Sequence, residues 1–446
     1  VSIEQQGAKR ALQRKHPTPQ SWRAHFGQRN GRGQAAGARN RQEKAQVVPV
    51  QRFIHETTRS NMKLAKFGLR TPDLHRILVG RNSKMECTAQ APFGGSAHCN
   101  KSIVGVHMPS QPLVARTFGK SGLAVSPMGM GCWAIGGPFF SGPGCHYPLG
   151  APLGYGEVDD SESIRAIHCA LDGGVTFFDT SDAYGTGHGE RVLGEALKGR
   201  RSNVLLATKF GYAHNEATRE LLGVDVSPAR IREACIGSLK RLQTEWIDLY
   251  QLHVGNLPLD QADGVADILD NLCKSGLIRS YAWSTDDPGR AVAFADRANC
   301  AAVQFDMNVF EDAPAMLDMS RRHNLSSIVR LPLAMGFLTG KFTPSSHLSP
   351  TDIRSKPPTW LRYFEEGGRA STAWIRKLDS LRGVLTSGGR TLAQGALAWV
   401  WARDDRTIPI PGIRTVAQAK ENAGAMQFGP LTAGQMQEID RLLERS

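Results

Sequence analysis

Val175-Thr176-Phe177-Phe178-Asp179-Thr180-Ser181-Asp182-Ala183-Tyr184-Gly185 opens as a short apolar run and turns polar at Asp179. Residues 190–197 then set Val192, Leu193, Ala196 and Leu197 at helical spacing. A continuous apolar strand followed by an amphipathic helix is the unit of a parallel sheet covered by helices, because such a strand is buried on both faces. The unit recurs in both directions. Downstream, strands are expected at 204–209, 247–253, 278–284, 302–305, 327–333 and 407–410. Helices are expected at 228–242, 261–274, 288–298, 313–323, 392–403 and 415–425, the first of them opened by Ser227-Pro228. Upstream, 128–133 reads as a buried strand, and a proline- and glycine-rich loop covers 137–158. A helix follows, with capping-box spacing at Asp159–Glu162, apolar Ile164, Ile167, Ala170 and Leu171, and a stop at Gly173-Gly174. Before all of these, 116–118 and 124–126 flank Gly119-Lys120-Ser121-Gly122 as a hairpin. About eight strand–helix units in roughly 330 residues predict a closed (β/α)8 TIM barrel with an N-terminal hairpin. A doubly wound open sheet is the alternative, supported by Gly129-Met130-Gly131-Cys132-Trp133-Ala134. That match is discounted, since Gly136-Gly137-Pro138 blocks the helix it requires.

Charge divides the chain in two. Of the net +13, residues 1–110 carry +14, with 19 Lys and Arg against 5 Asp and Glu. The remainder carries 35 against 36, a net −1. Residues 1–110 are polar and aperiodic and are expected to be a disordered basic extension, with the barrel domain at 111–446. Three readings of the extension compete: a flexible basic tail, a targeting peptide, and an upstream stretch included through a misassigned start. The last is favoured, with Met108 as the true start. The eight cysteines are scattered without a C-x-x-C pair, as in a reduced cytoplasmic protein, and Cys87, His98 and Cys99 match no zinc spacing. No metal site is expected. No apolar stretch is long enough to cross a membrane as a helix, so no membrane partner is expected either.

A barrel of this kind places its active site at the C-terminal ends of its strands. Asp179, Lys209 and His253 stand at three such ends, and Tyr184 follows the first of them. Three segments here resemble the aldo-keto reductase family: Phe177–Gly185, Ala207-Thr208-Lys209-Phe210-Gly211, and Ile247-Asp248-Leu249-Tyr250-Gln251-Leu252-His253. The resemblance covers 116–425 and implies an NADPH-dependent oxidoreductase that reduces aldehydes or ketones to alcohols.

The residue types suit that chemistry. Hydride addition to a carbonyl leaves an alkoxide that needs a proton. Tyrosine's ordinary pKa near ~10 is a poor match to neutral pH, and a neighbouring ammonium is expected to lower it. Tyr184 is therefore assigned as proton donor. Lys209 supplies the charge, Asp179 holds Lys209, and His253 orients the substrate oxygen. Singly, each has a plain structural explanation, such as an ion pair or a scaffold hydrogen bond. Their conjunction on neighbouring strand ends decides for catalysis.

The resemblance also implies where NADP(H) lies, across the barrel mouth without a separate nucleotide domain. Ser284 and Gln304 would hold the nicotinamide amide. Leu333, Gly336, Leu338, Gly340 and Lys341 would form the pyrophosphate segment, where glycines let backbone amides approach phosphate. Gly412, Arg414, Gln418, Glu421 and Asn422 would hold the adenosine end, with Arg414 on the 2′-phosphate. Thr285 and Arg330 stand where the family has Asn and, in many relatives, an aromatic. Trp133 would line the substrate pocket with Phe139, Phe140, His146, Tyr155, Trp360, Tyr363 and Phe364. The expected partner is a small-molecule carbonyl, with no nucleic acid for the barrel. Two other functions remain open at this stage: an NADP(H)-sensing regulatory subunit with the same barrel, and nucleic-acid binding through the extension.

Overall fold

Residues 114–445 are described by a computed structural model of the chain. The extension at 1–110, including Cys87, His98, Cys99 and Met108, lies outside them. Eight short strands pair in parallel and in chain order. They are β1 (Gly129–Gly131), β2 (Phe177–Asp179), β3 (Leu205–Phe210), β4 (Ile247–Leu252), β5 (Ile278–Ser284), β6 (Cys300–Asp306), β7 (Ser326–Arg330) and β8 (Thr407–Pro409). The ring closes where Gly131 N–H donates to Pro411 O at 3.0 Å and Ile413 N–H donates to Gly131 O at 3.4 Å. Each strand leads to a helix on the outside. The helices are α1 (Asp160–Asp172), α2 (His188–Ala196), α3 (Pro228–Arg241), α4 (Ala262–Lys274), α5 (Pro288–Ala295), α6 (Pro314–Arg322), α7 (Thr372–Leu385), α8 (Leu392–Arg403), α9 (Val416–Gly424) and α10 (Ala433–Leu442). The expected (β/α)8 barrel is present. Its strand order excludes the open doubly wound sheet, and Gly129–Gly131 forms β1 with no helix opening on it.

Strand side chains alternate, and here the alternation builds two cores. Phe177, Leu205, Ala207, Leu249, Ala282, Ala302, Ile328 and Ile408 fill the barrel interior. Phe178, Leu206, Tyr250, Trp283, Val303 and Val329 face outward into the layer under the helices. The expected hairpin, Arg116–Phe118 against Leu123–Val125, plugs the N-terminal end by adding Phe118 and Val125 to the inner core. Gly119 permits that fit. It lies at φ +46°, and a Cβ there would sit 1.9 Å from Ala301 O.

Three features depart from the sequence reading. Asp159 caps α1, its Oδ1 accepting from the N–H groups of Ser161 and Glu162, but Glu162 does not complete a capping box. Its Oε1 accepts from Val416 N–H at 2.8 Å and ties α1 to the start of α9. Between the strand expected at 327–333 and the helix expected at 392–403 the structure adds α7, whose Leu378, Leu381 and Leu385 are buried at helical spacing. The proline- and glycine-rich loop contributes Phe140–Ser141 to a small sheet with Glu220–Val224 and Tyr212–Asn215. That sheet forms one wall of the mouth.

Candidate active site

Alternation also aims the polar strand ends. Asp179, Lys209, Gln251, Ser284, Gln304 and Arg330 each stand two residues past an inner apolar one, so all point into the C-terminal mouth. Lys209 is fully buried. Its Nζ donates to Asp179 Oδ2 at 2.5 Å, to Thr180 O at 2.8 Å and to Tyr184 Oη at 3.1 Å. All three ammonium protons are thereby used. Because Tyr184 Oη accepts from Lys209, its own proton must point elsewhere, toward the mouth. Asp179 Oδ1 accepts from Gln251 Nε2 at 2.8 Å and from Gln304 Nε2 at 2.9 Å. His253 closes the group, its ring edge-on to Tyr184 at 5.8 Å and its Nδ1 3.1 Å from Ser181 Oγ. The four expected catalytic residues thus meet at one point.

The electrostatics differ from expectation at Tyr184. Burial raises its phenol above the ordinary value, and the opposing charge of Lys209 does not cancel that effect. The tyrosine is a neutral phenol at neutral pH, with a proton to give. For Lys209, burial acts to lower the ammonium, but Asp179 and then Tyr184 outweigh it and the net shift is upward. His253 is held well below the usual histidine value by burial, then by the charges of Lys209 and Arg330. It is a neutral imidazole that can donate a hydrogen bond.

Beyond the tetrad the mouth opens into a cavity of about 540 Å³. At one end Ser284 Oγ accepts from Arg330 at 2.8 Å. The Nε2 of Gln304 is committed to Asp179 and Gln251, which leaves Oε1 to accept from a carboxamide. Thr285 does not face the cavity, since its hydroxyl donates to Gly255 O at 2.8 Å. At the other end Lys341, Arg354 and Arg414 line the same cavity. Desolvation first, and the charges of Arg354 and Arg414 second, lower the Lys341 ammonium. Three cations gathered on one cavity fit a polyanion, and a dinucleotide's phosphates suit that end.

Residues 127–444 match the model of the Aldo/keto reductase family. The chain belongs to the aldo/keto reductase family. Aldo-keto reductase YhdN of Bacillus subtilis is 30% identical over 333 residues, 73% of this chain and 92% of that protein. Aldo-keto reductase yakc [NADP(+)] of Schizosaccharomyces pombe is 32% identical over 295 residues, 64% of this chain and 83% of that protein. Among solved structures, the holo form of aldo-keto reductase AKR11C1 from Bacillus halodurans superposes with a TM-score of 0.59 at 27% identity, covering 74% of this chain and 97% of that one.

Within this aldo/keto reductase, Leu333, Gly336, Lys341, Gly412, Arg414, Gln418, Glu421 and Asn422 line the cavity. Leu338 and Gly340 do not. Leu338 is buried in the core, and Gly340 caps a turn at φ +73°. The N–H groups of Gly336 and Leu338 both donate to Leu333 O, and that of Gly340 donates to Phe337 O. These amides, expected to approach phosphate, bond within the turn instead. Leu331, Ala334 and Met335 lie at positive φ in this segment, a concentration of backbone strain at the mouth. Trp133, Phe139, His146, Tyr155 and Trp360 line the pocket, but Tyr363 and Phe364 are buried beneath it beside Phe337. Trp133 stacks on Tyr184 at 5.8 Å and 16°.

The sequence reading missed several participants. Gln251 shares the inward parity of Lys209 and His253, a signal that was available. Arg354 carried no local signal, because what buries it is the segment 341–371 folding back on the mouth. Arg330 was noted only as an unusual residue. It pairs with Asp286, in the connection after β5, and with Asp306, its register partner at the end of β6.

Proposed function

We propose that the protein reduces aldehydes or ketones to alcohols with NADPH, using Tyr184 as proton donor. The observation that carries this is Lys209 Nζ, held at once by Asp179 at 2.5 Å and against Tyr184 Oη at 3.1 Å on the floor of the cavity. Ser284 and Gln304 would hold the nicotinamide carboxamide, Lys341 and Arg354 the pyrophosphate, and Arg414 the 2′-phosphate. Bound along this groove, the reduced nicotinamide supplies the hydride. His253 aligns the carbonyl oxygen through Nε2, since Nδ1 is engaged by Ser181. Tyr184 gives its outward proton to the forming alkoxide. Lys209, already donating to Tyr184 Oη, stabilises the resulting phenolate. Trp133, stacked on Tyr184, keeps bulk water off the phenol.

The test is an NADPH-oxidation screen over aldehydes, ketones, quinones and dicarbonyls. Turnover of at least one class that requires Tyr184 supports the proposal. Tight NADPH binding with no turnover across the panel would replace it with the NADP(H)-sensing reading.

A further inference from the structure

Ser181 Oγ stands between His253 and Asp182. It lies 3.1 Å from His253 Nδ1 and 3.3 Å from Asp182 Oδ1, and it accepts from Ala183 N–H at 3.1 Å. A hydroxyl has one proton to donate and two lone pairs. Ala183 takes one lone pair. One proton and one lone pair then remain for His253 and Asp182, and the two partners cannot both receive the proton. Asp182 is buried, and its Oδ2 has no protein partner.

We propose that Asp182, acting through Ser181, sets the tautomer of His253, making Asp182 a positioning residue for carbonyl reduction. The proposal rests on the reading of His253 as the group that donates to the substrate oxygen. When Asp182 is ionised it only accepts, so Ser181 donates to Asp182. His253 must then donate from Nδ1, and Nε2 turns a bare lone pair toward the substrate oxygen. When Asp182 is neutral it donates to Ser181, Ser181 donates to Nδ1, and Nε2 carries the proton. The two states differ by one proton. It enters at Nε2 from the mouth, Nδ1 passes its proton to Ser181, and Ser181 passes its own to Asp182. The proton belongs to the whole relay, and the pair titrates together.

The surroundings of Asp182 place that titration in the working range. Glu190 on α2, Arg230 and Arg241 on α3, and Tyr250 on β4 are the titratable groups that face it. Arg241 is already engaged by Glu190 at 2.7 Å and Glu216 at 3.1 Å, and Arg230 by Glu233 at 3.3 Å. Both act to lower the Asp182 carboxyl, but by less than burial and Glu190 raise it. Burial, reinforced by the charge of Glu190, pushes its carboxyl up to about 7.

The experiment follows the ring nitrogens of His253 by 15N NMR across roughly pH 5 to 9, with the signals assigned by their loss in His253→Gln. The wild type is expected to carry the proton on Nε2 at the acid end and on Nδ1 at the alkaline end. In Asp182→Asn the amide N–H donates permanently to Ser181, so Nε2–H should persist throughout. In parallel, kcat/KM of the wild type should fall about tenfold per pH unit above the midpoint, as expected for loss of a single proton, and the variant's profile should stay flat there. A wild-type tautomer that does not change with pH overturns the proposal. So does a pH dependence that survives Asp182→Asn. The NMR result needs no turnover, so it stands or falls apart from the proposed reaction. The wild-type measurement alone decides the matter if the variant fails to fold.

Discussion

Lys209 donates to a carboxylate, a carbonyl and a phenol at once, and that sharing makes Tyr184 the residue whose loss should be most specific. Tyr184→Phe keeps the ring stacked on Trp133 and removes the hydroxyl, which is both the transferable proton's carrier and one acceptor of Lys209. Turnover should fall roughly 10²- to 10⁴-fold while the NADPH dissociation constant stays put. Steady-state kinetics with fluorescence titration check both halves. Arg414 sits at the opposite end of the groove, where its guanidinium donates to Tyr155 O at 3.2 Å and its backbone N–H donates to Gln418 Oε1 at 2.8 Å. Arg414→Ala should weaken NADPH about ten- to a hundredfold, the loss of a charged hydrogen bond, and leave NADH nearly unchanged. The comparison belongs at fixed ionic strength, since salt screens the contact. Equal losses for the two cofactors would remove Arg414 from the 2′-phosphate. Asp182 adds a stability signature. Its folded value of about 7 lies above that of an unfolded carboxyl, so the stability it contributes is complete at low pH and is lost as pH rises through about 7. Asp182→Asn does not titrate. Its melting temperature should therefore gain on the wild type between pH 5 and 8, as calorimetry would show.

At the scale of elements, two connections meet across the mouth. Ile353 N–H donates to Gly154 O at 2.7 Å, joining the segment 341–371 to the first loop. Arg354 anchors the junction. It pairs with buried Asp352 at 2.6 Å, donates to Met335 O at 3.1 Å and lies over the ring of Tyr155 at 4.8 Å. Arg354→Met keeps the bulk but strands Asp352. Breaking a buried pair costs about 3–5 kcal/mol, and here the cost should fall on the segment rather than on the barrel. Limited proteolysis should cut faster within 341–371, and NADPH should bind more weakly. Unchanged cleavage would show that the backbone bonds hold the segment without the ion pair. Asp248 shows how one motif can serve two purposes. Its neighbours Leu249 and Gln251 face inward, whereas Asp248 faces outward and binds Arg201 at 2.7 Å and Arg279 at 2.8 Å.

For the whole molecule, the charge boundary lies near residue 110 and the family match begins at 127. A chain beginning at Met108 is expected to keep its melting temperature and its turnover. A loss of several degrees, or of most activity, would show that the barrel depends on the basic stretch. The hairpin is another matter, because Phe118 and Val125 belong to the inner core. Removing residues up to 126 should destabilise the barrel, since it strips buried apolar groups from its floor.

The sequence alone determined what depends on local period and residue type. Eight continuous apolar strands alternating with helices specify a parallel barrel, and parity aims Asp179, Lys209, Gln251 and His253 into one mouth. Tertiary structure decided what depends on the sum of distant neighbours. Whether Lys209 lowers the Tyr184 phenol below its ordinary value is a contest between one ammonium and the desolvation imposed by the surrounding barrel, and desolvation wins. The turn at 333–340 ties the N–H groups of Gly336, Leu338 and Gly340 to its own carbonyls, which the glycine pattern by itself did not show. The pairing of Arg330 with Asp286 and Asp306, and the place of Ser181 between Asp182 and His253, arise where the ends of different strands and the connections beyond them meet. No periodicity along the chain encodes such meetings, because they depend on how far each strand and loop carries its end through space.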